Sequence, residues 1–96
     1  MIITIIFSPK QSTKIPEIEQ ILSTGALCLN VLNNFLACGW GGNWLTGWMA
    51  HDRQFGEEAF NLLEDEFVAG FVYVGSHDEP PPERPRPQIE DKVTWF

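Results

Sequence analysis

Two uninterrupted apolar runs predict the strands of this chain. Ile2–Phe7 and Phe67–Gly75 are rich in β-branched and aromatic residues, and each has the length of one strand. Continuous apolar runs of this kind are typical of strands that are covered on both faces. We therefore predict a strand at each position, with the first in the interior of a helix-flanked sheet.

A long helical pattern lies between the two runs. It is expected to begin at Pro16, which suits a first helical turn, and to end at Cys38. Glu17 and Glu19 are favourable at the positive end of the helix dipole, and Gly39 suits a left-handed C-terminal cap.

The second half of this predicted helix is apolar nearly all round. Ten of the thirteen residues from 26 to 38 are apolar, and helices with that pattern are usually buried. A chain of 96 residues offers too little material to bury it. A partner subunit or a further segment is therefore implied.

The remaining pattern is shorter and more polar. We predict a second helix over residues 52–63, an extended proline-rich stretch over 78–87 and a short strand over 92–96. The element order indicates an α/β or α+β layer around about three strands, in a single domain over residues 1–96.

The charge is unevenly distributed. Six Lys and Arg against thirteen Asp and Glu give a net charge of −7, and all of it falls within residues 52–96. This balance argues against non-specific binding to nucleic acid or to an anionic membrane. No run reaches the roughly 18 apolar residues that a membrane span needs.

The two cysteines point to a reducing compartment. Cys28 and Cys38 fall ten residues apart on the predicted long helix, which places them about 15 Å apart and too far for a disulfide. We expect reduced structural cysteines and a cytoplasmic protein.

Most catalytic motifs are absent from the sequence. It has no nucleophile elbow, no phosphate-binding glycine loop and no cluster of metal ligands. His51 and His77 are isolated and are expected to lie on the surface.

Residues 39–49, here called the Gly/Trp segment, contain four glycines and three tryptophans. One interpretation is a tight turn with core aromatics. The other is a flat ligand lying against bare backbone, with amide groups donating to it.

Arg84-Pro85-Arg86 is a second candidate site, in an otherwise acidic region. The prolines hold both guanidinium groups on a stiff scaffold that would suit a phosphate. An incidental surface pair is the alternative.

Seven stretches, in chain order, resemble the nitroreductase family, and in particular its short bacterial type. They are MIITIIFSPK, KIPEIEQ, STGA, GWGGNWLTG, VAGFVYVG, PPERPRP and VTWF. The resemblance implies an α+β flavoprotein fold and a homodimer with FMN at the subunit interface. It also implies electron transfer from NAD(P)H to nitro or quinone-like acceptors, with the flavin carrying the chemistry.

The resemblance also implies site residues. Trp44, Leu45, Thr46 and Gly47 match the motif whose backbone lies beside the flavin ring, and Arg84 and Arg86 match late basic residues that reach the FMN phosphate. The long helix matches the family's dimer-core helix.

The chain is about half as long as family members and resembles their C-terminal half. The missing half supplies an early arginine-and-serine motif for the FMN phosphate and ribityl chain. The alternative is therefore a non-catalytic dimerisation module, or an inactive fragment that has lost half of the flavin site.

Overall fold

The computed structural model describes residues 1–79 and 81–96 and shows an α+β arrangement. Part of the predicted extended stretch, Pro80, lies outside the described residues. The elements in chain order are β1 (Ile2–Phe7), α1 (Glu17–Ala37), β2 (Gly41–Leu45), a 3₁₀ turn (Trp48–Ala50), α2 (Arg53–Phe60), β3 (Phe67–Gly75) and a second 3₁₀ turn (Ile89–Asp91).

The three described strands form one antiparallel sheet in the order β1-β3-β2. β3 is therefore central, and the prediction of an interior position for β1 is wrong for this chain. β1 has one neighbouring strand, and Ile2 and Ile6 are exposed because nothing described covers them. The prediction that both apolar runs form strands is confirmed at both ends of each run.

The long helix begins and ends within one residue of the predicted bounds. Glu17 and Glu19 lie in its first turn, and Gly39 adopts φ +83° just beyond its end. The N–H of Trp40 donates to the Phe35 carbonyl at 3.0 Å and that of Gly39 to the Leu36 carbonyl at 3.0 Å. This is the Schellman pattern, which satisfies the last carbonyls of a helix.

α2 is shorter than predicted because Asn61 breaks it. The Asp52 side chain accepts from the Phe55 N–H at 2.7 Å and caps the N-terminus. Asn61 adopts φ +54°, which directs the chain back so that Leu62 is buried against Gly56. A Cβ at residue 56 would lie 2.7 Å from Leu62, so the glycine is what permits this return.

Two small cores lie on opposite faces of the sheet. On the α1 face, Ile5, Cys28, Val72 and Val74 are buried together. On the face covered by the 3₁₀ turn and α2, the buried cluster is Leu62, Val68 and Phe71. Cys28 is the buried residue of α1, so most of this apolar helix remains uncovered within the chain.

The C-terminal stretch differs from the prediction. Val93–Phe96 follow the second 3₁₀ turn without forming the short strand that we predicted. A strand needs a neighbour, and the described sheet ends at β1 and β2. Trp95 is 89% exposed.

The helices of the described residues are all too short or too polar to cross a membrane.

Arg53 joins α2 to the loop that leads into β3. Its guanidinium donates to the carbonyls of Leu62 at 3.2 Å, Leu63 at 2.8 Å and Glu66 at 3.1 Å, and its Nε donates to Glu57 at 2.6 Å.

Glu66 supports the same loop. Its carboxylate accepts from the Leu63 N–H at 3.0 Å, and this bond, with a bond from Ser8 and the charge of Arg53, lowers the pKa of that carboxyl. The acidic loop at residues 64–66 is therefore partly ordered rather than only solvated.

We predict that Arg53→Met lowers the free energy of unfolding by about 1–2 kcal/mol, because three loop carbonyls lose their shared donor. Urea unfolding followed by far-UV circular dichroism measures the change. Gln54→Met is the matched control, since among the described residues Gln54 donates only to Glu58 within α2. Equal effects of the two substitutions would contradict this role for Arg53.

Candidate functional site

The Gly/Trp segment folds as an edge strand followed by a turn. β2 pairs with β3 from Gly41 opposite Gly75 to Leu45 opposite Phe71. Its other edge has no neighbouring strand among the described residues. The backbone of this segment is therefore open to a ligand or to another chain.

Trp44 lies across the sheet rather than in the core. It is 36% exposed, and its indole Nε1 donates to the Ala69 carbonyl at 3.3 Å. The ring covers Gly70, where a Cβ would collide with it. Neither interpretation of the segment from sequence fully describes this arrangement, because the indole is fixed and yet partly exposed.

The turn after β2 presents bare backbone. Thr46 is half-buried, whereas Leu45 and Gly47 are exposed. Gly47 has φ +61° and ψ −172°, a conformation that is essentially restricted to glycine, and a Cβ there would meet no other group. Free space beside an accessible glycine backbone is what close approach of a flat ligand requires.

The two arginines of the predicted phosphate site are both exposed. Arg86 donates from Nε to Glu83 Oε1 at 2.8 Å, and its Nη2 lies 2.7 Å from the same oxygen. An exposed ion pair of this kind contributes little to stability. Arg86 can therefore exchange its carboxylate partner for a phosphate at small cost.

The structure does not bring the two predicted parts of the site together. Among the described residues, no hydrogen bond, ion pair or shared cavity joins the Trp44–Gly47 stretch to Arg84 or Arg86. A groove of about 380 Å³ does touch the Gly/Trp segment, but at the start of β2, between Gly41 and Gly75.

The titratable side chains of the described residues form no second candidate site. Burial raises the pKa of the Cys28 thiol, so this cysteine is a protonated core residue. Cys38 is exposed, and neither cysteine is in a disulfide, as predicted. His51 and His77 are exposed as predicted, and the described residues contain no group of three metal ligands.

The ring side of an FMN site fits the residues present. Leu45 and Gly47 are exposed, and a Cβ on Gly47 would meet no other group, so there is free space beside this glycine. The phosphate side has the right donor chemistry in Arg84 and Arg86, although the two sides lie in separate parts of this chain.

Sequence reasoning overlooked Gly70. It is the residue of β3 that leaves room for Trp44. A glycine inside an otherwise apolar strand often marks a close approach, and that signal was present in the sequence.

Comparisons with known proteins support the resemblance. No family model matches the chain. Over 76 residues it is 30% identical to "Putative NAD(P)H nitroreductase YdjA" of Escherichia coli K12, a match that covers 79% of this chain and 41% of that protein. The Escherichia coli O157:H7 protein of the same name matches to the same extent.

A solved structure matches the fold. A nitroreductase-like family protein from Bacillus cereus superposes with a TM-score of 0.75 at 23% identity, over 94% of this chain and 46% of that chain. The protein thus has a nitroreductase-like α+β fold, and its resemblance to the nitroreductase family is confirmed. The chain spans about two fifths of the length of the curated relatives it matches.

We predict that Gly47→Ala destabilises the chain by about 1 kcal/mol or more, because alanine is strained at this positive φ. Thermal unfolding followed by circular dichroism measures it. Gly75→Ala is the control, since a Cβ there also meets nothing and φ is not positive. Equal melting temperatures for the two variants would refute the strain argument.

Proposed function

We propose that this chain forms part of an FMN-dependent NAD(P)H oxidoreductase that reduces nitro or quinone-like acceptors. The observation that carries the proposal is the turn at Thr46–Gly47, where Gly47 is exposed, at the end of an edge strand in a nitroreductase-like fold. The NAD(P)H nitroreductase name of the Escherichia coli relatives supports the same reaction class.

Each part of the chain would have a separate task. When bound, FMN supplies the two-electron redox chemistry. The backbone from Leu45 to Gly47 would lie beside the ring, where backbone amide groups could donate without the need for a side-chain acid or base. Arg84 and Arg86 would hold the phosphate.

The apolar surface of α1 supports a homodimer. Ile18, Leu22, Leu29 and Leu36 are exposed, and with 3.6 residues per turn they share one side of the helix with Gly25. A Cβ on Gly25 would meet nothing, so a second backbone can approach closely here. We call these five residues the α1 stripe.

The overall dimensions support the same conclusion. The radius of gyration is 16.4 Å, whereas a compact domain of this length has about 12–13 Å. An open shape that exposes an apolar helix face is what one half of an assembly presents. The proposed setting is the cytoplasm, in keeping with two free cysteines.

The first test of the proposal is FMN binding by the full chain. We expect the protein to become yellow on incubation with FMN and to oxidise NAD(P)H when a nitroarene is present. A folded protein that takes up no FMN would overturn the proposed function for this chain. If that protein were still dimeric, it would be the non-catalytic dimerisation module instead.

We predict that Arg84→Ala and Arg86→Ala each weaken FMN binding by about tenfold or more, since charge-assisted hydrogen bonds contribute roughly 1.5–3 kcal/mol. Flavin fluorescence titration measures the affinity. Binding of riboflavin, which lacks the phosphate, should not change. Glu83→Gln should tighten FMN binding because it frees Arg86.

The charge-matched control for the arginine variants is Lys14→Ala, which removes one exposed cation from the turn before α1. Should that variant lose as much FMN affinity as Arg84→Ala and Arg86→Ala, the effect would be general electrostatics. The assignment of the phosphate site would then be wrong.

We predict that Leu29→Glu converts the dimer to a monomer, because it places a charge within the α1 stripe. Size-exclusion chromatography with light scattering measures the mass. Leu27→Glu is the control: Leu27 is 52% exposed against 50% for Leu29 but lies on the other side of the helix. A wild-type monomer, or dissociation by both variants, would count against the α1 stripe as the interface.

A further inference from the structure

An irregularity in the sheet lies directly beneath Trp44. Ile5 pairs with Gly70 and Ile6 with Val68, so Ala69 has no partner in β1. β2 ends opposite Phe71, two residues away from Ala69. Bulges of this kind are common beside active sites, where they re-aim backbone or side-chain groups.

The indole of Trp44 forms a hydrogen bond at this irregularity. The partner of Trp44 across the sheet is Val72, yet its Nε1 reaches the carbonyl of Ala69, three residues further along β3. The side chain therefore runs diagonally over the sheet and crosses Gly70, the one residue on its path that lacks a Cβ. Three observations converge on one docking arrangement.

This docking lies next to the turn of the proposed flavin site. Leu45 is the last residue of β2 that pairs with β3. Met49 and Ala50 then pack on the opposite face, against the cluster that contains Phe71. The chain between these two anchors is Thr46, Gly47 and Trp48, and Trp44 comes immediately before the first anchor.

We infer that Trp44 is a positioning residue: by docking over Gly70 and onto the Ala69 carbonyl, it fixes the Thr46–Gly47 backbone. The indole N–H is already used by Ala69, so Trp44 acts through the backbone that follows it and not by donating to a ligand. The consequence for flavin affinity rests on the proposed function, whereas the backbone arrangement does not.

The test uses glycine substitutions in β3 of the full chain. Gly70→Ala places a Cβ within the indole, whereas Gly75→Ala, in the same strand, places one in open space. Trp44→Val removes the ring, and the loss of one of the four indole N–H signals in the nitrogen–proton correlation spectrum identifies that of Trp44.

We expect Gly70→Ala to speed hydrogen exchange of the Trp44 indole by about tenfold and to shift the amide signals of Thr46 and Gly47. Gly75→Ala should leave all three signals unchanged. In the Trp44→Val background, Gly70→Ala should shift the turn no further, because there is no ring left to displace.

Two results would overturn the inference. One is an unchanged Thr46–Gly47 turn in Gly70→Ala, and the other is an additive effect of Gly70→Ala in the Trp44→Val background. Should Gly70→Ala not fold, Trp44→Val alone decides, since it must shift the same two amides.

Flavin titration separates this inference from the proposed function. We expect Gly70→Ala to weaken FMN binding by roughly tenfold, with Gly75→Ala unchanged. A displaced turn with full FMN affinity would overturn the positioning role. If the wild-type chain binds no FMN, the proposed function fails, and the amide signals still decide whether Trp44 fixes the turn.

Discussion

The central position of β3 is the constraint on which the rest of the structure depends. It pairs with both other strands of the described sheet, and its two faces carry the two buried clusters. Val72 is buried in one cluster with Cys28 of α1, and Phe71 faces the side of α2. Because each small cluster is completed by residues of this strand, loss of its pairing would expose both at once.

The geometry of the candidate site also depends on β3. The residues before the Thr46–Gly47 turn are held by backbone pairing with β3, and Trp44 is seated where β3 lacks a side chain. Arg53, from α2, secures the loop by which the chain enters β3. The site is thus built from an edge strand, but its position is set at the centre of the sheet.

Local patterns predicted the elements well because their signals are local. Gly39 ended α1 where a left-handed cap was expected, and the apolar run at residues 67–75 formed a strand over its whole length. Strand order could not be obtained in this way, because pairing joins residues far apart in sequence. The edge position of β1, the irregularity at Ala69 and the Trp44 docking all depend on that order. The end of α2 was also marked by a local signal, which is the asparagine at residue 61.

The exposed features of the chain are best explained together. The apolar side of α1 and the arginines at 84 and 86 are all exposed, and the contact described for Arg86 is an exposed ion pair with Glu83. If a second copy covered the α1 stripe, burial of its apolar side chains would stabilise the assembly through the hydrophobic effect. Among the described residues, Arg84 and Arg86 share no hydrogen bond, ion pair or cavity with Gly47, so the proposed flavin site requires an assembly that brings its two parts together.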